Sequence, residues 1–161
     1  MGEEMDIAGQ ISAAAVKAII GPLVGYVKEV GKRRTKGNTG KLHFWSEGML
    51  QELKLIAEGK ATAKTYKELN QKFRASQGPV DKAMAKLTVT RNAYGGGPIA
   101  RQIDQCIHNY DFGKMTVRDE IKFLIRRKGD EGSAGEAQFI CRRIETLNAE
   151  LDRLLRLLDA K

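Results

Sequence analysis

The sequence predicts an all-α protein. Apolar residues recur every three or four positions through most of the chain, and no stretch alternates apolar and polar residues long enough to require a strand. The composition is globular: of 161 residues, 42% are hydrophobic and 30% are charged, and only three are proline. We expect three helical regions, comprising residues 1–41, 42–92 and 93–161.

The first region is predicted to be a helix followed by a basic linker. Apolar residues between Ile7 and Ile19 share one helical face, and Gly21-Pro22 is expected to break or kink the helix. Residues 31–41 are rich in glycine and cations, which predicts a flexible tether. The only charged residues before the stretch Ile7–Val27 are acidic, so it does not have the pattern of a signal peptide or a membrane span. Membrane association is the least favoured hypothesis.

The middle region is predicted to contain three short helices. The first apolar stripe runs from Phe44 to Ile56, and the second runs from Tyr66 to Phe73 with Thr62 or Thr65 as its N-cap. The third helix is expected to open at Gly78-Pro79, because proline suits the first turn of a helix. Its buried face would consist of Val80, Ala83, Met84 and Leu87.

The last region is predicted to hold three more helices. Pro98 starts one, Thr116 with Asp119 caps the next, and residues 136–159 form the last after a glycine-rich loop. Spacings of four and three give this last helix a heptad seam. The seam consists of Ile140, Ile144, Leu147, Leu151, Leu154 and Leu158. Two alternatives remain open for it: pairing with a second copy or a helical partner, and packing within the chain.

Positive charge is concentrated in one part of the chain. The formal net charge is +8, and residues 28–92 alone carry fifteen Lys or Arg against six Asp or Glu. Such a concentration is typical of a surface that faces a polyanion, although a merely soluble basic surface is the simpler alternative. The charge therefore directs attention to residues 28–92.

The sequence contains little that suggests catalysis, and we expect no enzyme activity, cofactor or metal. His43 and His108 are isolated, and no glycine-rich phosphate loop is present. Cys106 lies on an apolar stripe, which favours a core position over a nucleophile. Two cysteines do not form a disulfide framework, so we expect a reducing intracellular location, the nucleus if the source is a eukaryote.

Residues 42–92 carry two motifs: Trp45 lies at the start of the first predicted helix, and the run Tyr66 to Leu69 gives the second an aromatic, a basic, an acidic and an aliphatic residue in order. Both motifs resemble those of the Myb/SANT-like, homeodomain-like helix-turn-helix, in which a tryptophan opens the first helix and the same pattern occurs in the second. The third aromatic residue of the family is missing. The resemblance implies a three-helix head whose third helix enters the major groove of DNA, although SANT-type members bind histone tails or other proteins.

Helical geometry gives a related expectation for the third helix. If its apolar residues point inward, Gln77, Lys82 and Lys86 face outward, where they can contact base edges. Arg74 and Ser76 would lie in the preceding turn and hold phosphate, and the basic linker would form a flexible arm. The predicted nucleic-acid contacts are Lys32, Arg33, Arg34, Lys36, Arg74, Ser76, Gln77, Lys82, Lys86 and Arg91.

The sequence thus favours a non-enzymatic protein that binds double-stranded DNA through a helix-turn-helix head and a basic arm. Its C-terminal helix would serve for dimerisation or for binding a helical protein partner. The alternative is a helical scaffold or subunit of a larger complex whose basic surface meets an acidic protein partner.

Overall fold

The described part of the chain is helical, which confirms the predicted all-α class. A computed structural model describes the backbone of residues 13–111 and 115–160 and the side chains of residues 31–111 and 115–160. No strand occurs in these ranges; the only β pairing there is a single bridge between Asp111 and Thr116. The helices are α1 (Ala13–Ala57), α2 (Ala63–Tyr94), α3 (Gly97–Tyr110), α4 (Val117–Arg126) and α5 (Ser133–Asp159).

The chain divides into two units, Met1–Arg34 and Thr35–Lys161. Part of the predicted apolar face of the first helix, including Ile7 and Ile11, lies outside the described residues. The larger unit contains both regions that were predicted to be separate, residues 42–92 and 93–161.

The predicted linker at residues 31–41 is wrong, because α1 runs through it without interruption. The helix also continues through Gly21 and Pro22, where a break or a kink was expected. Within the larger unit, tertiary contacts explain the outcome at residues 35–41. Thr35 and Thr39 are buried, the Thr39 hydroxyl donates to the Thr35 carbonyl at 2.6 Å, and Lys36 forms an ion pair with Asp159. Burial and pairing thus override the low helix propensity of glycine.

The predicted turn at Gly78-Pro79 is also wrong, because α2 is one continuous helix of 32 residues with Pro79 inside it. Phe73 before this point and Val80 after it are both buried, so one apolar stripe crosses the proline. Just beyond it, Asp81 accepts a hydrogen bond of 2.7 Å from Arg118 of α4. These contacts keep α2 continuous at Gly78-Pro79, where the local sequence alone would favour a break.

A single hydrophobic core joins all five helices. Trp45 of α1 meets Tyr110 of α3 edge-on, with ring centroids 6.2 Å apart. Trp45, Tyr66 and Phe73 are buried as predicted, but their neighbours include residues beyond position 92. Residues 42–92 therefore do not enclose a core of their own, as an independent three-helix head would.

Two helix starts match the predicted caps. The Thr116 hydroxyl accepts from the Asp119 amide at 3.1 Å, and the Asp119 carboxylate accepts in return from the Thr116 amide, also at 3.1 Å. At the start of α2 the N-cap is Thr62, and its amide donates to the Thr65 hydroxyl at 3.0 Å. These caps fix where α2 and α4 begin.

The heptad seam of α5 packs inside the chain. Every seam residue is at most 4% exposed. These residues are Ile140, Ile144, Leu147, Leu151, Leu154 and Leu158. The partner-binding role predicted for them is therefore corrected to a core role, because α3 and α4 already cover this face.

Candidate functional site

One cavity of the larger unit is a groove between α1 and α2, which we call the α1/α2 groove. Its volume is about 1260 Å³. The groove has an apolar floor that includes Leu42, Met49, Val80 and Ala83, all buried. Binding sites for other molecules are typically concave and mostly apolar in this way.

An exposed aromatic side chain stands in the wall of the groove. Phe44 is 81% exposed, the highest value among the exposed large hydrophobic side chains of the described residues. The sequence placed Phe44 in the core stripe of a short helix, and that prediction is wrong. The core face of α1 is formed instead by neighbours such as Leu42, Trp45 and Met49. Phe44 thus leaves a large apolar surface uncovered.

Glycines face the groove from both helices. A Cβ atom added to Gly37, Gly40, Gly48 or Gly78 would meet nothing within 4 Å, so intramolecular packing does not require glycine at these positions. A glycine inside a helix costs roughly 0.5–1 kcal/mol relative to alanine. What the four positions provide is bare backbone that another chain can approach closely.

Lysines are the charged residues of the lining. Lys41, Lys72, Lys82 and Lys86 line the groove, and no Asp or Glu does so. Lys72 is neutralised by Glu52, whose carboxylate lies 2.8 Å from its ammonium. Lys41, Lys82 and Lys86 form no ion pair within the described residues. Within the described structure, the rim of the groove therefore carries three positive charges without an ion-pair partner.

The lining follows helical spacing on both walls. On α1 it includes positions 37, 41, 44 and 48, and on α2 positions 75, 79, 82 and 86. Both series advance by three or four residues, which places each on one face of its helix. Two ridges with this spacing form the groove into which a third helix packs in a helical bundle.

A second, smaller cavity lies between α2 and α4, and we call it the α2/α4 cleft. Its volume is about 300 Å³. Arg74 and Gln77 contribute from α2, and Lys122 and Arg126 contribute from α4. The remaining lining is Asn70, Phe73 and Ile125. The sequence pointed to Arg74 and Gln77 but not to the two cations of α4, which only the packing of the two helices brings close.

The residues predicted to form a flexible basic arm lie in a helix instead. Lys32, Arg33, Arg34 and Lys36 all belong to α1. Arg33 and Arg34 are exposed, whereas Lys36 is paired with Asp159. The arm prediction is therefore corrected for these four residues, although their positive charge is unchanged.

The other predicted nucleic-acid contacts are separated by the structure. Ser76 lies within α2 and donates to the carbonyl groups of Lys72 and Phe73 at 2.8 and 3.0 Å, so it does not lie in a turn. Arg91 is paired with Asp104 of α3. Gln77, Lys82 and Lys86 are exposed as predicted, but Gln77 belongs to the cleft and the lysines belong to the groove. No common phosphate-binding turn unites them.

Groups that often carry chemistry are buried here. The side chain of Cys106 is fully buried, and burial, with a contribution from Glu150, raises the pKa of its thiol to about 12. Burial also raises the pKa of Cys141. A thiol must be ionised to act as a nucleophile, so these raised pKa values favour core roles. Among the described residues, no three His, Cys, Asp or Glu side chains are grouped so as to hold a metal ion.

Within residues whose placement is described, no helix combines the length and apolarity needed to cross a bilayer. Comparisons with models of known families, with curated proteins and with solved structures found no match for this chain.

Proposed function

We propose that this chain is a non-enzymatic interaction module that binds an acidic amphipathic helix of a partner protein in the α1/α2 groove. One observation carries the proposal: an uncovered apolar groove whose charged lining residues are all lysines.

The length of the groove suits a short helix. Along α1 the lining extends from Gly37 to Met49, which corresponds to roughly 18 Å at 1.5 Å per residue, or about three helical turns. An amphipathic helix places three or four apolar side chains on one face over that length. Recognition of this kind, with a helix laid into an apolar groove, is a common mode of peptide binding.

Close approach is possible along the whole groove. Gly37, Gly40 and Gly48 on one wall and Gly78 on the other present backbone without a side chain. A docked helix can therefore sit deep enough to cover Phe44. Covering a phenylalanine side chain contributes about 1.5–3 kcal/mol, and Phe44 is 81% exposed before binding.

The charges select the partner. Lys41, Lys82 and Lys86 border the groove without ion pairs of their own in the described structure. Glutamate or aspartate on the flanks of a bound helix would pair with them, whereas lysine or arginine there would be repelled. Electrostatics of this kind determine which helix binds, while the apolar floor supplies most of the affinity.

Binding of DNA by Lys82 and Lys86 stays a prediction, and it now competes for the same surface. The expected mechanism required a short third helix that begins at Pro79. In the continuous α2 helix both lysines border the groove instead. Duplex DNA is therefore included as a probe in the test.

The test uses the full chain and designed probes in a fluorescence anisotropy titration. One labelled helical peptide has leucines at spacings of three and four and glutamates elsewhere, and its matched control has lysines in place of the glutamates. We expect the acidic peptide to bind and the basic peptide not to bind. The K82E/K86E variant should lose roughly tenfold in affinity for the acidic peptide, since each reversed surface pair changes the free energy by about 0.5–1 kcal/mol.

Matched variants control for charge and for exposed aromatic surface. K67E/R101E reverses two exposed cations that line neither cavity, and it should bind like the wild type. Phe44→Ala should lower affinity about 30-fold, from a loss of about 2 kcal/mol. Phe123→Ala, at a phenylalanine that is 52% exposed on α4, should have little effect. Equal binding of both peptides, or binding of duplex DNA alone with the same sensitivity to K82E/K86E, would overturn the proposal.

A further inference from the structure

We infer that the α2/α4 cleft binds the phosphodiester backbone of a nucleic acid without regard to base sequence. This inference goes beyond the proposed function and does not rest on it, because the cleft and the α1/α2 groove have no lining residue in common.

The cleft is lined by three cations that have no ion-pair partner among the described residues. Arg74, Lys122 and Arg126 form no ion pair within the described residues, and no acidic residue lines the cleft. Nearby ion pairs show that the fold does neutralise cations elsewhere: Arg118 is paired with Asp81 at 2.7 Å, and Arg127 with Glu136. Three like charges around one small cavity repel one another, and an anion between them relieves that repulsion.

The donors suit phosphate oxygens. The guanidinium groups of Arg74 and Arg126 each offer a planar set of N–H donors, which matches the oxygens of a phosphate, and Lys122 adds a mobile ammonium. Asn70 and Gln77 supply further amide donors in the same lining. A cavity of about 300 Å³ has room for a phosphate group together with bound water.

The arrangement favours a chain of phosphates over a single one. Gln77 follows Arg74 by one turn on α2, and Arg126 follows Lys122 by one turn on α4, so donors occupy both walls at two levels. The exposed Lys128 continues the basic run beyond the end of α4. A ligand with one phosphate would leave part of this row without a partner.

The described lining of the cleft offers no exposed aromatic ring on which a base could stack. Among the described residues, Phe73 is the only aromatic residue that lines the cleft. Its ring is 7% exposed beneath Arg118, whose guanidinium carbon lies 4.8 Å from the ring centroid. Proteins that hold single strands by their bases use exposed aromatic rings for stacking. The cleft thus offers contacts to phosphate alone, which position a nucleic acid but do not select its sequence.

The test measures binding of a labelled 20-base-pair duplex of mixed sequence, at 50 and 200 mM salt, to the full chain. Three neutralised phosphates give a slope of about −2.7 in log affinity against log salt, so a fourfold rise in salt should weaken binding about 40-fold or more. The R74Q/K122Q/R126Q variant should lose most of its affinity at 50 mM salt, and the slope should become shallower by about 2.7.

A control variant separates the cleft from net charge. K67Q/R101Q/R142Q removes three exposed cations that line neither cavity and form no ion pair in the described structure. It should keep the wild-type slope to within one unit. Unchanged thermal midpoints would show that both triple variants are folded. A duplex of different sequence should bind equally well.

Three results would overturn the inference. One is an equal loss of affinity in the cleft variant and the control variant. Another is a strong dependence of affinity on duplex sequence. A third is binding of a singly phosphorylated peptide by a protein that does not retain the duplex. A separate titration tells a failure of this inference from a failure of the proposed function. If the groove binds the acidic peptide, K82E/K86E should lose affinity for that peptide whatever the result with the duplex.

Discussion

Replacement of Pro79 by alanine is expected to stabilise the protein. In the structure Pro79 is exposed and lies inside α2, with helix on both sides. A proline inside a helix lacks the N–H donor and crowds the preceding turn, which costs about 3 kcal/mol relative to alanine. Had Pro79 been the first residue of a separate helix, its missing donor would cost nothing and its fixed φ angle would help.

The size of the effect follows from two opposing contributions. The folded state gains about 3 kcal/mol, while the unfolded chain gains about 0.4–1 kcal/mol of conformational freedom when proline is removed. The free energy of unfolding should therefore rise by about 2 kcal/mol. For a chain of this size the thermal midpoint should rise by roughly 4–8 °C.

Urea and thermal unfolding, followed by circular dichroism at 222 nm, measure both quantities. Pro98→Ala is the matched control, because Pro98 lies in the first turn of α3, where proline is well placed. We expect no gain from Pro98→Ala. If Pro79→Ala behaved like Pro98→Ala, the continuous α2 helix would be refuted and a turn before Pro79 would be restored.

Three further predictions concern the groove, the α5 seam and the buried thiol. Gly40→Ala should raise the free energy of unfolding by about 0.5–1 kcal/mol in urea titrations, because its Cβ meets nothing, yet it should weaken binding of the acidic peptide; a loss of stability would contradict this. Leu151→Ala should cost about 2–5 kcal/mol while the mass in solution, from light scattering, stays unchanged; a change in mass would point to an intermolecular seam. Because burial raises the pKa of Cys106 from 9.0 to about 12, the folded protein keeps this proton after the unfolded chain releases it. The contribution of this thiol to the free energy of unfolding should thus be complete below about pH 9 and fall by up to about 1.4 kcal/mol per pH unit between about pH 9 and 12. Cys106→Ala should reduce the slope of the urea midpoint against pH, and an equal slope in both proteins would contradict this.

Much of the fold was predictable because periodic burial is written into the sequence. The apolar faces of α2 and α5 were identified from spacing alone, and the cap at Thr116 from the threonine followed three residues later by Asp119. These features depend on local sequence, where one helical period or one hydrogen-bonded turn is decisive.

Helix continuity was not predictable from local signals. Glycines and cations at residues 31–41 and the pair Gly78-Pro79 both read as breaks, yet α1 and α2 pass through them. The deciding contacts come from distant residues, such as the pairing of Lys36 with Asp159 and of Asp81 with Arg118. The resemblance of residues 42–92 to a helix-turn-helix depended on the second of these breaks.

The candidate sites were partly visible in the sequence. Lys82, Lys86 and Gln77 were correctly placed outside the core, because the apolar face of α2 fixes the opposite face. Arg74 is also exposed, but it lies within α2 and not in the predicted turn. That these four residues belong to two different cavities depends on which helix packs on each side. Phe44 was missed because an aromatic residue within an apolar stripe is usually core. The sequence did contain one signal for an exposed Phe44: it shares a helical face with Gly37, Lys41 and Gly48, which are not typical core residues.

The geometry of α2 keeps the two proposed sites apart. At 100° per residue, the buried stripe from Phe73 to Leu87 occupies one side of the helix, with Lys82 and Lys86 on one flank and Arg74 and Gln77 on the other. Packing of α1 against the first flank forms the groove, and packing of α4 against the second forms the cleft. Because the buried stripe separates the flanks, a helix bound in the groove leaves the cleft open. The two sites on α2 can therefore bind a protein ligand and a phosphate backbone at the same time. A mutation in one site should leave the affinity of the other unchanged.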